Sequence, residues 1–125
     1  MSEYRGVHPL VPAASNEAAA SVAARAHAEG ISLVWFLYAD HGGIIRGKSS
    51  TAAMLPARMT TGIGHTVAMM AMSMLDHLQP VEGMGPVGEV RIMPDPATFV
   101  PLPYAPGAGA MLADQVQPEI GRAHV

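Results

Sequence analysis

Apolar residues along this chain fall into runs of different spacing, and each spacing predicts a different element. Between Glu17 and Glu29 they are small and recur on one helical face, at Ala20, Val22, Ala23 and Ala26. Asn16 is a good N-cap residue, Glu17 suits the positive end of a helix dipole, and Gly30 stands where a left-handed terminator belongs. The pattern predicts a helix over Glu17–Glu29 that lies close against a sheet. Ile31–Asp40 is instead a near-continuous apolar run rich in aromatic and β-branched residues. It predicts a central strand covered on both faces. Asp40-His41-Gly42-Gly43 reads as a turn, and Ile44–Ser50 as the returning strand of a hairpin.

Further along, the pattern breaks up. Thr51–Arg58 has room for one helical turn before or around Pro56. Thr66–Leu78 is apolar on every side and carries Met69, Met70, Met72 and Met74. Periodicity leaves open a short buried helix or an irregular segment packed under another subunit. Val81–Gly88 is a Gly/Pro-rich loop. Glu89–Met93, Phe99–Leu102 and Ala108–Gln115 read as short strands separated by Pro94, Pro96, Pro101, Pro103 and Pro106. The expected fold class is α+β: one N-terminal helix packed on a small mixed sheet, without internal repeats. Residues 1–14 read as an arm, 15–116 as the domain and 117–125 as a tail.

A chain of 125 residues holds one core. Half its residues are apolar and 14% are charged, which places it among globular chains. Net charge is -3, and the seven basic residues are scattered from Arg5 to Arg122. Without a basic stripe, neither nucleic acid nor an anionic membrane is an expected partner. Cysteine is absent, so disulfides and thiolate metal sites are excluded. The N-terminus lacks a signal-peptide layout, and no apolar run approaches the roughly 20 residues of a membrane span. A cytoplasmic location is the expectation. The histidines have no ligand spacing, and the methionines read as core or interface filler.

Gly42-Gly43-Ile44-Ile45-Arg46-Gly47-Lys48-Ser49 fits the phosphate-loop pattern G-x-x-x-x-G-K-[ST] in full. In such a loop, successive backbone N–H groups curl around phosphates at a helix N-terminus. Two β-branched residues at its centre resist that curl. Pro56 is expected to stunt the helix that should follow, and the chain is short for the required parallel sheet. A nucleotide-binding module at Gly42–Ser49 is therefore the alternative reading, not the first.

Taken as a hairpin, the same segment is Asp40-x-x-Gly43-x-x-Arg46-Gly47-Lys48. It resembles the D-x-x-G-x-x-R-G-K hairpin of the glutamine synthetase family's N-terminal β-grasp domain. Met93-Pro94-Asp95-Pro96-Ala97-Thr98-Phe99, then Leu102-Pro103-Tyr104, resembles that family's V-P-D-x-x-T-F…L-P-W segment. Ala110–Asp114 stands where the domain's last strand ends in Asp. The matching residues read as scaffold: Gly43 for a φ > 0 turn position, Gly47 for a close backbone approach, Arg46 and Lys48 as solvated or paired with Asp40. Pro94, Asp95, Thr98, Leu102 and Pro103 punctuate strands.

The resemblance implies a β-grasp-like domain of a larger ligase that uses ATP and Mg²⁺ or Mn²⁺ to form γ-glutamyl phosphate from glutamate. Ammonia or an amine then displaces the phosphate. In the family, metal, ATP and glutamate sites lie in a C-terminal catalytic domain, and this N-terminal domain closes a neighbouring subunit's active site in a homo-oligomeric ring. The expectation is a fragment without its catalytic domain, holding no metal or nucleotide and inactive alone. Glu119–Val125 spells one reading frame of a common sequencing adapter, so this end reads as non-native. Aligning Gly62-Ile63-Gly64 with the family's G-x-G-F-D-G-S-S puts His65 at the Phe and Thr66 at the ammonium-site Asp. A hydroxyl neither attracts nor deprotonates ammonium as a carboxylate does. With the apolar Val67–Met72 behind it, Thr66 implies preference for an organic amine, unless Asp76 fills the role through a longer loop. A standalone β-grasp interaction domain is the third reading.

Overall fold

The computed structural model describes residues 15–117; the expected arm, and the expected tail apart from Gln117, lie outside the described residues. The chain opens with α1 (Asn16–Ala28). Its N-cap is Ser15, one residue before the expected Asn16: the Ser15 hydroxyl accepts from the Ala18 N–H at 3.1 Å. Gly30 follows the helix at φ 70°, the conformation only glycine takes freely. Ala19, Val22 and Ala26 form the buried face, whereas Ala20 is exposed. These small side chains bring α1 into one core with Val34 and Phe36.

Six strands follow: β1 (Leu33–Ala39), β2 (Ile45–Thr51), β3 (Ile63–Thr66), β4 (Glu89–Pro94), β5 (Val100–Pro101) and β6 (Ala108–Val116). Their order is β2-β1-β6-β4-β3, with β5 also on β6. The β1–β6 pair is parallel and the rest antiparallel, so the sheet is mixed. β1 and β2 form the expected hairpin, with Phe36 opposite Lys48 and Leu37 opposite Gly47.

β1 is not covered on both faces. Val34, Phe36 and Tyr38 point into the core, while Trp35 on the other face stays 37% exposed. An unbroken apolar run does not by itself report how many faces are covered. A second correction concerns Pro56. The chain makes a 3-10 turn (Ala52–Met54) capped by the Thr51 hydroxyl, then α2 (Leu55–Thr61). Pro56 lies in the first turn of α2, where its missing N–H has no intrahelical partner to lose. It starts this helix instead of stunting it, so the sheet carries two helices. Leu55 and Met59 are fully buried and join Phe36, Ile92 and Met111 at the centre of the core.

Between Thr66 and Leu78 the two open alternatives resolve into the end of β3, a 3-10 turn (Val67–Ala71) and a loop closed by a bridge between Met72 and Leu78. Val67, Ala68 and Ala71 turn inward, while Met69, Met70 and Met72 remain partly exposed. No helix among the described residues is long and apolar enough to cross a membrane.

Candidate functional site

The hairpin turn is organised by a carboxylate. Asp40 Oδ1 accepts the N–H groups of Gly42 at 2.8 Å and Ile44 at 2.9 Å, and Oδ2 accepts from Arg46 Nε at 2.5 Å. The Arg46 guanidinium, helped by those backbone N–H groups, holds the Asp40 carboxyl below its ordinary range. Arg46 Nη2 also donates to Asp76 Oδ1 at 2.7 Å and to the Ser73 carbonyl at 3.3 Å. One guanidinium thus pins the hairpin to the 73–76 loop, whose Asp76 takes φ 64°. Gly43 sits at φ 81° as its turn role requires. At Gly47 an added Cβ would lie 2.9 Å from the Phe36 carbonyl oxygen, the close approach expected there.

This geometry answers the phosphate-loop pattern. Ile45–Thr51 is an extended strand in register with β1, so its backbone cannot curl around an anion. Lys48 Nζ donates to the Gly64 carbonyl at 3.0 Å instead. That bond joins β2 to β3, which terminate opposite ends of the strand order, so the sheet curls toward itself.

The second motif is also scaffold. Asp95 Oδ1 caps the 3-10 turn Pro96–Thr98 by accepting from Ala97 N at 3.0 Å. The Thr98 hydroxyl donates to the Asp95 carbonyl at 2.6 Å and accepts from the Leu112 N–H at 2.8 Å, tying this turn to β6. Pro94 ends β4 opposite Ala113, and Leu102 N–H bonds the Ala108 carbonyl at 2.9 Å before Pro103 turns the chain.

Thr66 ends β3, where its hydroxyl accepts from Ala68 N at 3.3 Å and caps the next turn. Directly across the ladder stands Glu89. Gly64, Thr66, Gly88, Glu89 and Arg91 border an open polar cleft of about 450 Å³. Glu89 Oε2 pairs with Arg91 Nη1 at 2.5 Å, and Arg91 donates also to the carbonyls of Thr61 and Gly62, both at 3.0 Å. Sequence reading missed Glu89. The available signal was Glu89-x-Arg91 opening a strand, the alternation of a solvated face. Asp76, the other candidate carboxylate, is engaged by Arg46 at the hairpin instead.

His65 points inward beside Thr66. Its ring meets Tyr38 edge-on at 5.6 Å, its Nε2 lies 3.1 Å from Gln115 Oε1, and its Nδ1 is buried without a partner. Burial, with Lys48 nearby, pushes its pKa below the ordinary histidine value against the pull of Gln115. On the other side of the 67–71 turn lies an apolar cleft of about 440 Å³, bordered by His41, Met70, Met72, Gln79, Val81 and Met84. Among the described residues no three His, Asp or Glu side chains converge as a metal site would require.

The sequence model described as the glutamine synthetase N-terminal domain matches residues 17–122. The chain belongs to the glutamine synthetase family. Among relatives of this N-terminal domain is the gamma-glutamylanilide synthase of an Acinetobacter species, 30% identical over 111 residues. That match covers 78% of this chain and 22% of the relative. Among solved structures, a GmaS/ADP complex shares the fold with a TM-score of 0.64 at 24% identity, over 78% of this chain and 20% of that one. A novel glutamine synthase homolog aligns with a TM-score of 0.60 at 28% identity, over 70% of this chain and 22% of that one. The chain therefore spans about a fifth of the length of these relatives. The glutamine synthetase resemblance and the β-grasp-like α+β fold both hold, with α2 added.

Proposed function

We propose that this domain belongs to a longer ATP- and Mg²⁺- or Mn²⁺-dependent ligase that joins the γ-carboxyl of glutamate to an organic amine, through γ-glutamyl phosphate. The family match over residues 17–122 carries the ligase reading. Among the described residues no group of three His, Asp or Glu converges, and the phosphate-loop pattern is strand. In this reading the metal and the nucleotide belong to a catalytic domain elsewhere in the longer protein. This chain alone is inactive, and contributes one wall of a site completed by a neighbouring subunit of a cytoplasmic homo-oligomeric ring.

What its residues contribute is recognition of the acceptor nitrogen. An amine must lose its extra proton before it can attack an acyl phosphate. In the sequence alignment with the family's G-x-G-F-D-G-S-S segment, Thr66 takes the ammonium-site Asp's place; in this reading its hydroxyl offers a neutral partner, and the Glu89 carboxylate across the ladder offers a charged one that Arg91 already half-occupies. This weaker pull on a bare ammonium ion favours an acceptor that gains affinity elsewhere, from its substituent. The relative named gamma-glutamylanilide synthase supports that direction.

The test is a full-length ligase carrying this domain, assayed with ammonia and a panel of amines. kcat/KM should be higher for organic amines, and Thr66→Asp should move the preference toward ammonia. Clear preference for ammonia in the unmodified enzyme would sink the acceptor reading.

A further inference from the structure

We infer that the polar cleft over β3 and β4 takes its acceptor amine as a zwitterion, a short amino acid whose carboxylate seats on Arg91; the inference rests on the amine-ligase reading and names the acceptor's class. The cleft is built on two rungs of one ladder, Thr66 opposite Glu89 and Gly64 opposite Arg91. Alternate residues of a strand share a face, so these four stand on the same side of the sheet. One rung carries a hydroxyl and an anion, and the other carries a cation beside bare backbone.

The Glu89–Arg91 pair is held in place from two sides. Gly64 leaves the room for it: a Cβ there would stand 2.7 Å from Arg91 Nη1 and 2.9 Å from Glu89 Oε2. The guanidinium is also fixed through Nε on the Thr61 carbonyl and Nη2 on the Gly62 carbonyl. With Nη1 on Glu89 Oε2, three of its five N–H groups are engaged among the described residues. One N–H on each terminal nitrogen remains, the paired arrangement that receives both oxygens of a carboxylate. A cation already fixed in position loses little further freedom when an anion binds.

The anionic rung is open in the same way. Among the described residues only Oε2 of Glu89 is engaged, which leaves Oε1 as an acceptor. The Thr66 hydroxyl takes the Ala68 N–H and keeps a second lone pair. An ammonium group therefore finds two acceptors on one rung, and a carboxylate finds two donors on the other. Because Glu89 and Arg91 touch, these vacant groups lie side by side. That matches an α- or β-amino acid, whose two charges are one or two carbons apart. A plain amine satisfies Glu89 and leaves Arg91 unanswered.

The transfer balances with γ-glutamyl phosphate alone. The ammonium gives one proton to Glu89, and the freed nitrogen pair bonds the γ-carbonyl carbon. The carbon–oxygen bond to phosphate then breaks with its pair going to phosphate, which carries off the second nitrogen proton. The product is a γ-glutamyl amino acid.

The experiment assays a full-length ligase carrying this domain, with ATP and glutamate, on glycine against ethylamine and on β-alanine against propylamine. Each pair exchanges a carboxylate for a methyl group. kcat/KM should be at least about tenfold higher for the amino acid of each pair, as loss of a charged hydrogen-bonded contact implies. Arg91→Gln should bring both ratios to about one; a ratio read within one variant is not altered by a general loss of activity. Should that variant be inactive, because the Thr61 and Gly62 carbonyls lose their donor, Gly64→Ala takes its place. It keeps both charges but displaces them, and the same collapse of the ratios is expected. Simple amines used as well as amino acids, or ratios that survive in an active variant, would overturn the proposal and leave the ligase reading intact. No γ-glutamylamide from any amine would overturn that reading, and this proposal with it.

Discussion

Gly47→Ala separates the two meanings of the Gly42–Ser49 segment. As a strand residue, Gly47 faces Leu37 across the hairpin, and a Cβ there would stand 2.8 Å from Leu37 Cδ2 and 2.9 Å from the Phe36 carbonyl oxygen. Comfortable carbon contacts lie at about 3.5–4.0 Å. The Leu37 methyl is the end of a partly exposed side chain and can rotate away. The Phe36 oxygen belongs to the backbone of β1, so relief means shifting the ladder. Overpacking of this kind costs roughly 1–3 kcal/mol. Against it, Gly47 lies outside the left-handed region, so alanine also narrows the unfolded ensemble, worth about 0.4–1 kcal/mol. The net expectation is a loss of ~1–2 kcal/mol, well within the ~5–15 kcal/mol of an ordinary domain. With a urea slope of about 1–3 kcal/mol/M, the midpoint should fall by roughly 0.5–1 M at unchanged slope. The same titrations repeated with ATP should coincide with those without it, because a ligand that binds only the folded chain must raise its stability. A variant as stable as the parent would refute the close-approach argument. ATP stabilisation of the parent that the variant lacks would restore the phosphate loop.

Thr98→Val keeps the side-chain shape but removes the hydroxyl that serves both Asp95 and Leu112; with each such bond worth ~0.5–1.5 kcal/mol and both near solvent, chemical denaturation should show a loss of about 1–2 kcal/mol that Thr98→Ser largely restores. His65 gives a pH signature. Its folded pKa is depressed, so the unfolded chain binds the proton more readily, and stability is full above the ordinary histidine value of about 6.5 and falls as pH drops from there toward the folded pKa. His65→Phe should abolish that slope in denaturation midpoints measured across this window, keep the packing on Tyr38, and remove the unpartnered Nδ1; an unchanged slope would place the titration elsewhere.

Local chemistry made the hairpin legible before any coordinates. Gly43 at positive φ, the tight approach at Gly47 and the Asp40–Arg46 pair all follow from residue types at short spacing. α2 was harder to read because Pro56 both begins and breaks helices, and only the burial of Leu55 and Met59 decides which. The open face of β1 was invisible for a similar reason: an apolar strand face waiting for a partner and one already covered have the same letters. Glu89 was missed because its meaning is a register, its place opposite Thr66, and antiparallel register across a 22-residue connection is not written in either strand alone. The two clefts arise the same way, from loops brought together only once the sheet has formed.

The position of β6 in the sheet has a consequence for synthesis on the ribosome. It is the last strand of the described chain, yet it pairs with β1, β4 and β5 and lies between the β1–β2 hairpin and the β3–β4 pair. Until Ala108–Val116 has left the exit tunnel, the nascent chain holds two ribbons with no strand pairing between them, each too small to be stable alone. Such a domain cannot settle progressively from its N-terminus. It must wait with Phe36 and Ile92 unsheltered and then close in one late step, dominated by contacts distant in sequence and correspondingly slow. Chaperone dependence should accordingly peak just before residue 116 emerges.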